Sequence, residues 1–485
     1  MHNQVSASIC NHLWTRERVR FSDTCRGFQA EVQSSSRPFI SHLLALSLLT
    51  LGPTKNSFFV ISIPPPSSPS CEVAAALFAP LVPALIAITS GRSCPQHSDF
   101  QWLMTGSLRC FMRSSTGRDF LQMLEVSAPA LAMHRSSFFG TLQSERRLAM
   151  CAQVNAALVD LMRSRIPDSL SCLPGLDAFA VFAADGHYHS AAAHDAPIDG
   201  AKRAVGHIFT LDLSTHALAH LVASDQKTRK HEHEIRALKR IPASALRAGV
   251  RKGKKVLMAY DGASIDFHQW HAWKQGSGIY MVSLVKANLA LAVQGNWPFD
   301  SQDAHNAGVL RDELVGTATA GFLLRRITFY DACSGRVFEF LTNEMTLMPG
   351  VITQIYKMRW DIEKVFDETK NKLAQKKSWA SGETPKEMQA QFICIAHNLL
   401  VLLEAKLAQE EGITNVAEAK RKSKRLAESI AIAAKQKRQL PAGLIAIQRH
   451  TQRSLKFIRW VASHLFTDIP WKVACTTLIG HYARL

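Results

Sequence analysis

The order of strand-like and helical patterns between residues 177 and 288 constrains the fold more than any other feature of this 485-residue sequence. Apolar runs typical of strands occur in DAFAVFAADGHYHSAAA and in both arms of GHIFTLDLSTHALAHLVAS, with a turn expected near Leu213–Thr215. HEHEIRALKRI then predicts a helix, KKVLMAYDGAS a strand, DFHQWHAWKQGSG a helix closed by glycine, and GIYMVSLVKAN a strand. The sequence thus predicts three strands, a helix, a strand, a helix and a strand.

This order is typical of a ribonuclease-H-like α/β core with a mixed sheet. The following segment, residues 289–346, has mixed strand character, and its clearest hairpin turns at Ser334–Gly335. Two long helical patterns come next, in GVITQIYKMRWDIEKVFDETKNKL and PKEMQAQFICIAHNLLVLLEAKLAQ. We therefore expect an α/β fold in which a β-rich insertion interrupts the core and helical regions flank it.

The amino-terminal segment differs in composition from the rest of the chain. Its first hundred residues hold nine of the nineteen prolines, and ISIPPPSSPS is incompatible with regular helix or central strand. The membrane-like run Val73–Thr89 contains two prolines and is short for a span, so no membrane partner is expected. An over-extended gene start, with Met104 or Met112 as the later start, is a further hypothesis.

These patterns predict six regions in chain order. They are a low-order Pro/Ser-rich extension (1–105), a helical region (106–170), the first part of the ribonuclease-H-like core (171–288), the β-rich insertion (289–346), the second part of the core (347–410) and a basic helical tail (411–485).

Charge and cysteine usage narrow the class of protein. The formal net charge is +18, which favours a polyanionic partner, most simply nucleic acid; a merely soluble basic protein is the alternative. The ten cysteines include no CxxC pair and no regular spacing, which argues against a zinc ribbon and a disulfide framework. Reduced, mostly buried thiols in a cytosolic protein fit this pattern best.

Two apolar strands each lead to an aspartate that is followed by glycine. Asp185 closes FAVFAAD and Asp261 closes VLMAYD. Either residue alone is typical of a turn, but two strands that end in the same pair favour a shared site. Carboxylates converging at strand ends are what two Mg²⁺ ions about 3.5–4 Å apart require. Asp266 is a rival for the second position, although it better suits the cap of the next helix.

The third acid is sought in the helical stretch YKMRWDIEKVFDETK. Tyr356, Arg359, Glu363 and Lys370 are spaced by three, four and seven residues, so a regular helix would place them along one face. Such a face could donate a metal ligand and hold phosphate groups. A solvated face with ion pairs between neighbouring turns is the alternative interpretation.

The Tyr-x2-Arg-x3-Glu-x6-Lys spacing resembles the signature of the DDE transposases of bacterial insertion sequences, in insertion-sequence family four. The order of the two Asp-Gly pairs and this helix is similar too, as is the strand GIYMVSLVKAN, which resembles a family strand that ends in a lysine near DNA. The resemblance covers residues 177–407. The sequence departs from the family pattern in two places. GHYH follows the first aspartate, and no end-binding domain is identifiable before the core.

The resemblance implies a catalytic triad of Asp185, Asp261 and Glu363 that binds Mg²⁺, with Mn²⁺ as a substitute. It implies a β-rich insertion between the second aspartate and the glutamate, and cut-and-paste transposition in the bacterial cytoplasm. The partners would be double-stranded DNA, both element ends and target, and a second copy of the chain in a synaptic complex. The residues that contact DNA would be Tyr356, Arg359, Lys370 and Lys286.

Two other functions compete with this interpretation. His187 and His189 could form the H-x-H pair of a metal-dependent hydrolase, since histidine is a common transition-metal ligand. HEHE, residues 231–234, is the other histidine cluster, but it is more simply a polar helix start with acids near the positive end of the dipole. A transposase relic that binds DNA without cutting it is the second alternative, and the basic stretch AKRKSKRLAES would suit it.

Overall fold

The computed structural model describes residues 71–88, 97–114, 116–198, 200–224, 232–317, 321–447 and 453–483. Its centre is one nine-stranded mixed sheet with strand order β3-β2-β1-β4-β5-β9-β8-β7-β6. The strands are β1 Phe179–His189, β2 Val205–Asp212, β3 Leu218–Ala223, β4 Lys255–Ala259, β5 Ile279–Leu284, β6 Ala292–Asn296, β7 Val309–Gly316, β8 Leu323–Asp331 and β9 Arg336–Thr342.

The first five strands follow the expected order. β1 pairs antiparallel with β2, and β2 with β3, whereas β1–β4 and β4–β5 are parallel. Each parallel step is made through helices, first Glu234–Lys239 with Ala243–Leu246, and then Phe267–Ser277. Gly278 ends the latter helix with a φ of 61°, which suits a residue without a side chain. This half of the sheet is consistent with the ribonuclease-H-like fold.

The last four strands extend the same sheet beyond β5. β9 pairs antiparallel with β5, and β8, β7 and β6 follow as successive antiparallel neighbours. The β8–β9 hairpin turns where the sequence predicts, and Gly335 adopts a φ of 67° there. The region expected to be β-rich therefore adds strands to the core sheet at its β5 edge.

Helices before and after the strands pack against the sheet and against one another. The longest, Glu383–Glu410, has 28 residues and packs on Glu145–Arg165 and on β3. The remaining helices are Glu72–Phe78, Leu81–Ile86, Asp99–Phe111, Gly117–Ser127, Arg135–Thr141, Pro349–Met358, Trp360–Asp367, Val416–Lys435, Ala442–Ala446, Leu455–His464 and Trp471–Ala483, with a π-helical turn at Glu368–Lys372.

Helix Glu383–Glu410 is apolar enough to raise the question of a membrane span. It is the one helix in the described part of the chain whose length and hydropathy would allow a crossing. The mean hydropathy of its most apolar window is 1.4, and 78% of that window is buried in the protein. Burial of this kind is what the central helix of a packed core requires.

The end of the segment expected to have low order is instead structured. Residues 71–88 and 97–105 are largely helical, whereas residues 1–70 and 89–96 lie outside the described residues. Trp102 is fully buried, and its ring centroid lies 5.0 Å from that of Phe392. Pro83 is accommodated because it lies in the first turn of its helix, where a missing N–H costs no hydrogen bond. The remaining domain boundaries stay predictions.

The cysteines behave as the sequence predicts. Seven of them lie in the described residues, all as free thiols. Five of these seven are buried, which places them in the core rather than in a metal site or a disulfide framework.

Candidate active site

Asp185 lies in the middle of the sheet, at a point where one neighbour of β1 ends. β1 does not end there: it continues through Gly186 to His189, and Asp185 pairs with Phe209 of β2. The expected strand end at Asp185 is therefore wrong, and so is the alternative of a simple Asp-Gly turn. The parallel pairing of β1 with β4 ends at Ala183, two residues before Asp185.

Asp261 occupies the equivalent position on the neighbouring strand. Ala183 pairs with Ala259, and each aspartate lies two residues further along the chain, Asp185 still within β1 and Asp261 just beyond the end of β4. Because side chains two residues apart point to the same side of a strand, this register brings the two carboxylates together. Asp261 also accepts a hydrogen bond of 2.8 Å from the N–H of Ala263, so it forms a turn and contributes to the cluster at once.

Glu234 is the third acid at this position. Ligand oxygens of Asp185, Glu234 and Asp261 all lie within 4.8 Å of one another. Glu234 begins the helix that follows β3, and His233 caps that helix by accepting from the N–H of Ile235. The sequence interpretation of HEHE as a polar helix start is thus correct. It missed the carboxylate cluster, because nothing in that local pattern says what the helix start faces.

Glu363 reaches the cluster through Arg359. The guanidinium of Arg359 donates from Nη1 to Asp185 Oδ2 at 3.0 Å and from Nη2 to Glu363 Oε1 at 2.7 Å. One planar group therefore lies between the two carboxylates, and Glu363 is on the same side of the sheet as the aspartates. Glu363 is not one of the three clustered acids, and its role as a metal ligand stays a prediction.

The segment that carries Glu363 is less regular than predicted. Helix Pro349–Met358 ends at Arg359, whose N–H bonds to the oxygen of Tyr356, and a second helix begins at Trp360. A π-helical turn, Glu368–Lys372, follows. The expected single polar face is therefore interrupted.

Tyr356 was expected on a polar helix face but is buried in the core. It is only 5% exposed, and its ring centroid lies 5.2 Å from that of Phe340 in the core. Lys370, by contrast, is exposed on the π-helical turn. The DNA contacts assigned to both residues stay predictions.

Lys286 and Asp266 flank the turn after Asp261. A Cβ atom at Gly262 would lie 3.1 Å from Cε of Lys286. The lysine side chain therefore packs against the glycine that follows Asp261. Asp266 accepts from the N–H of Gln269 at 3.0 Å as the N-cap of its helix and pairs with Lys239. The preference for Asp266 as a helix cap is thus confirmed, and the place of Lys286 is compatible with a phosphate contact.

Burial and mutual repulsion shape the ionisation of the cluster. Burial raises the pKa of Asp185 to about 6, against the opposing effects of Arg359 and the Gly186 N–H. Burial and then the charge of Asp261 raise the pKa of Glu234. Three close carboxylates repel one another unless a cation or a proton intervenes. Their oxygens are the ligands that Mg²⁺ prefers, so the residues present fit such an ion.

The histidines after Asp185 lie in a separate buried cluster. The rings of His187, His189, His207 and His220 follow one another with centroids 5.0–5.2 Å apart, and His187 stacks on Phe366. Burial lowers the pKa of His187 to about 4 and that of His189 to about 3. Within the described residues, the one group of three potential ligands that lie close together contains no histidine. The structure therefore offers no support for an H-x-H hydrolase site.

Comparison with known proteins points to the same segment. Residues 181–399 match the family model described as the transposase DDE domain. No curated protein matches the sequence. The matched segment contains the acidic cluster, most of the sheet and the helix of Glu363, and this similarity supports a DDE transposase.

Proposed function

We propose that the chain is a DDE transposase of insertion-sequence family four that cuts double-stranded DNA at element ends and joins the ends to target DNA. The observation that carries this proposal is the convergence of Asp185 and Asp261, each two residues after the last pair of the parallel strands β1 and β4, inside the segment that matches the transposase DDE domain. The protein would act in the bacterial cytoplasm as a homodimer within a synaptic complex.

The acids would hold Mg²⁺, or Mn²⁺ in its place. Asp185, Asp261 and Glu363 form the proposed triad, and Arg359 keeps the first and the last in contact. Bound metal ions would activate the attacking oxygen and stabilise the leaving one. Carboxylates beside a phosphate backbone are unfavourable without such neutralisation, which argues against a DNA-binding protein that does not cut.

The reaction needs no covalent enzyme intermediate. In the first step the oxygen of a water molecule forms a bond to phosphorus, and the bond from phosphorus to the 3′ oxygen breaks and frees a 3′-OH. In the second step that 3′-OH attacks a target phosphodiester and displaces another 3′ oxygen. The roles proposed for Arg359, Lys370 and Lys286 are to hold phosphates around the scissile bond, where cations stabilise the developing charge.

The proposal predicts that Asp185→Asn, Asp261→Asn and Glu363→Gln each abolish cleavage of DNA that carries the inverted repeats bordering the gene. Binding of the same DNA should remain, because each change removes a metal ligand and no cation. The measurement is nicking of labelled end DNA with Mg²⁺, alongside a gel-shift titration.

Asp266→Asn is the matched control. It changes an aspartate five residues from Asp261 that caps a helix, and asparagine caps about as well, so cleavage should persist. Loss of cleavage in Asp266→Asn, together with normal cleavage in Asp261→Asn, would show that the second acid is wrongly assigned. If the wild-type protein binds end DNA but does not cut it, the alternative of a transposase relic that only binds DNA would be favoured.

A further inference from the structure

We propose that Glu234 is a fourth catalytic carboxylate, which binds the same metal ion as Asp185 and Asp261. This inference rests on the proposed function, since it concerns the metal at that site. It adds a ligand from the helix after β3, a region outside the triad implied by the transposase signature.

Two residues outside the acids hold the Glu234 carboxylate in place. Tyr260 is fully buried and donates its hydroxyl to Glu234 Oε2 at 3.1 Å. Gly186, next to Asp185, leaves room for the other oxygen: a Cβ atom there would lie 2.2 Å from Glu234 Oε1. Any other residue at 186 would push the carboxylate away. Strand β1 and the segment after β4 are thus both shaped to accept this side chain beside the aspartates.

The ion pairs around the cluster are unevenly distributed. Arg359 pairs with Asp185 and with Glu363. Within the described part of the chain, neither Asp261 nor Glu234 takes part in an ion pair, although their oxygens lie within 4.8 Å of each other. At that separation two carboxylates repel strongly in a partly buried site. A divalent cation with oxygen ligands would remove this repulsion.

The four carboxylates fall into two groups that share Asp185. Glu234 and Asp261 lie within ligand distance of it, while Glu363 lies beyond the guanidinium of Arg359. A two-metal site holds its two ions about 3.5–4 Å apart, so it needs two adjacent positions. We therefore assign Glu234 to the metal position formed with Asp185 and Asp261. Glu363 is assigned to the second metal position, next to Arg359.

The test is Mn²⁺ binding to the full-length chain, followed by electron paramagnetic resonance and by the shift of the melting temperature in Mg²⁺. Glu234→Gln should weaken Mn²⁺ binding at least about tenfold, because even outer-shell partners of a metal cost ten- to a hundredfold in affinity. Gly186→Ala keeps every charge but displaces the carboxylate, so it should weaken binding in the same direction. The Mg²⁺ concentration for half-maximal cleavage should rise in both variants.

Glu232→Gln is the matched control. Glu232 lies two residues away and pairs with Arg240, so its loss should leave Mn²⁺ binding unchanged. Wild-type affinity in Glu234→Gln and in Gly186→Ala would overturn the inference and leave the proposed function intact. Wild-type affinity in Asp185→Asn and Asp261→Asn would instead contradict the metal site on which the proposed function depends.

Discussion

Arg359 lies between the helices Pro349–Met358 and Trp360–Asp367 and connects them to the sheet through Asp185. Its side chain is buried, it contacts Asp185 and Glu363, and its guanidinium carbon lies 5.6 Å from the ring centroids of both Tyr356 and Trp360. A planar group with five donors can hold two carboxylates at fixed distances, whereas an ammonium group acts as a point charge. This residue was predictable from the signature spacing, but its bridging contact to Asp185 was not.

Arg359→Lys should therefore be harmful although the charge is kept. We expect cleavage of end DNA to fall about tenfold or more, since the loss of a charge-assisted hydrogen bond costs about 1.5–3 kcal/mol. Single-turnover cleavage at saturating Mg²⁺ measures this effect. Arg459→Lys, at an exposed position of helix Leu455–His464, is the control. Equal rates for wild type and Arg359→Lys would mean that charge alone matters at this position.

The segment from Pro349 to Lys372 shows what local patterns can and cannot predict. Its helical periodicity was correct, but the break at Arg359 and the π-helical turn Glu368–Lys372 were not predicted. Glu368, in that turn, is buried and bonds to Arg453, a partner 85 residues away. The chain order of strands and helices in the core, and the position of Asp261 after an apolar strand, followed from the sequence patterns. Glu234 did not, because only the tertiary fold brings its helix start to the aspartates.

Lys370 is an exposed lysine on the π-helical turn, and its proposed role is to hold a DNA phosphate. Lys370→Ala should weaken binding of end DNA and reduce the slope of log affinity against log salt by about one unit, as the loss of one phosphate contact requires. The measurement is end-DNA affinity across a salt series. Lys472→Ala, at an exposed position of helix Trp471–Ala483, is the comparison. Parallel lines for wild type and Lys370→Ala would show that Lys370 does not contact DNA.

At the scale of the whole molecule, the buried histidines make stability depend on pH. Burial lowers the pKa of His189 to about 3, and those of His216 and His220 to about 4. Burial likewise lowers the pKa of His207, and its neighbour His220 lowers it further. In the unfolded chain these groups titrate near 6.5, so below that pH the unfolded state binds more protons than the folded state.

The stability of the folded protein should consequently be full above about pH 6.5 and fall as the pH drops toward 4, by about 1.4 kcal/mol per unit for each such histidine. Urea unfolding at pH 7.5, 6.0 and 5.0 measures this loss. His207→Gln should flatten the dependence, while His134→Gln, at an exposed position, should leave it unchanged. A stability that does not vary between pH 7.5 and 5.0 would contradict the role of these histidines.

The two ends of the described chain are joined by contacts across almost 400 residues. The thiol of Cys71 donates to Asp468 at 3.6 Å, and the N–H of Trp471 donates to Glu72. During synthesis the helices Glu72–Phe78 and Leu81–Ile86 leave the ribosome long before their partners have been made. Side chains that are buried in the folded protein, such as Val73 and Leu77, are exposed to water during that time. The ribonuclease-H-like sheet can form first, and closure of the helical layer waits for translation of the last helix. We therefore expect the newborn chain to bind chaperones that recognise apolar segments until the helix Trp471–Ala483 has been made.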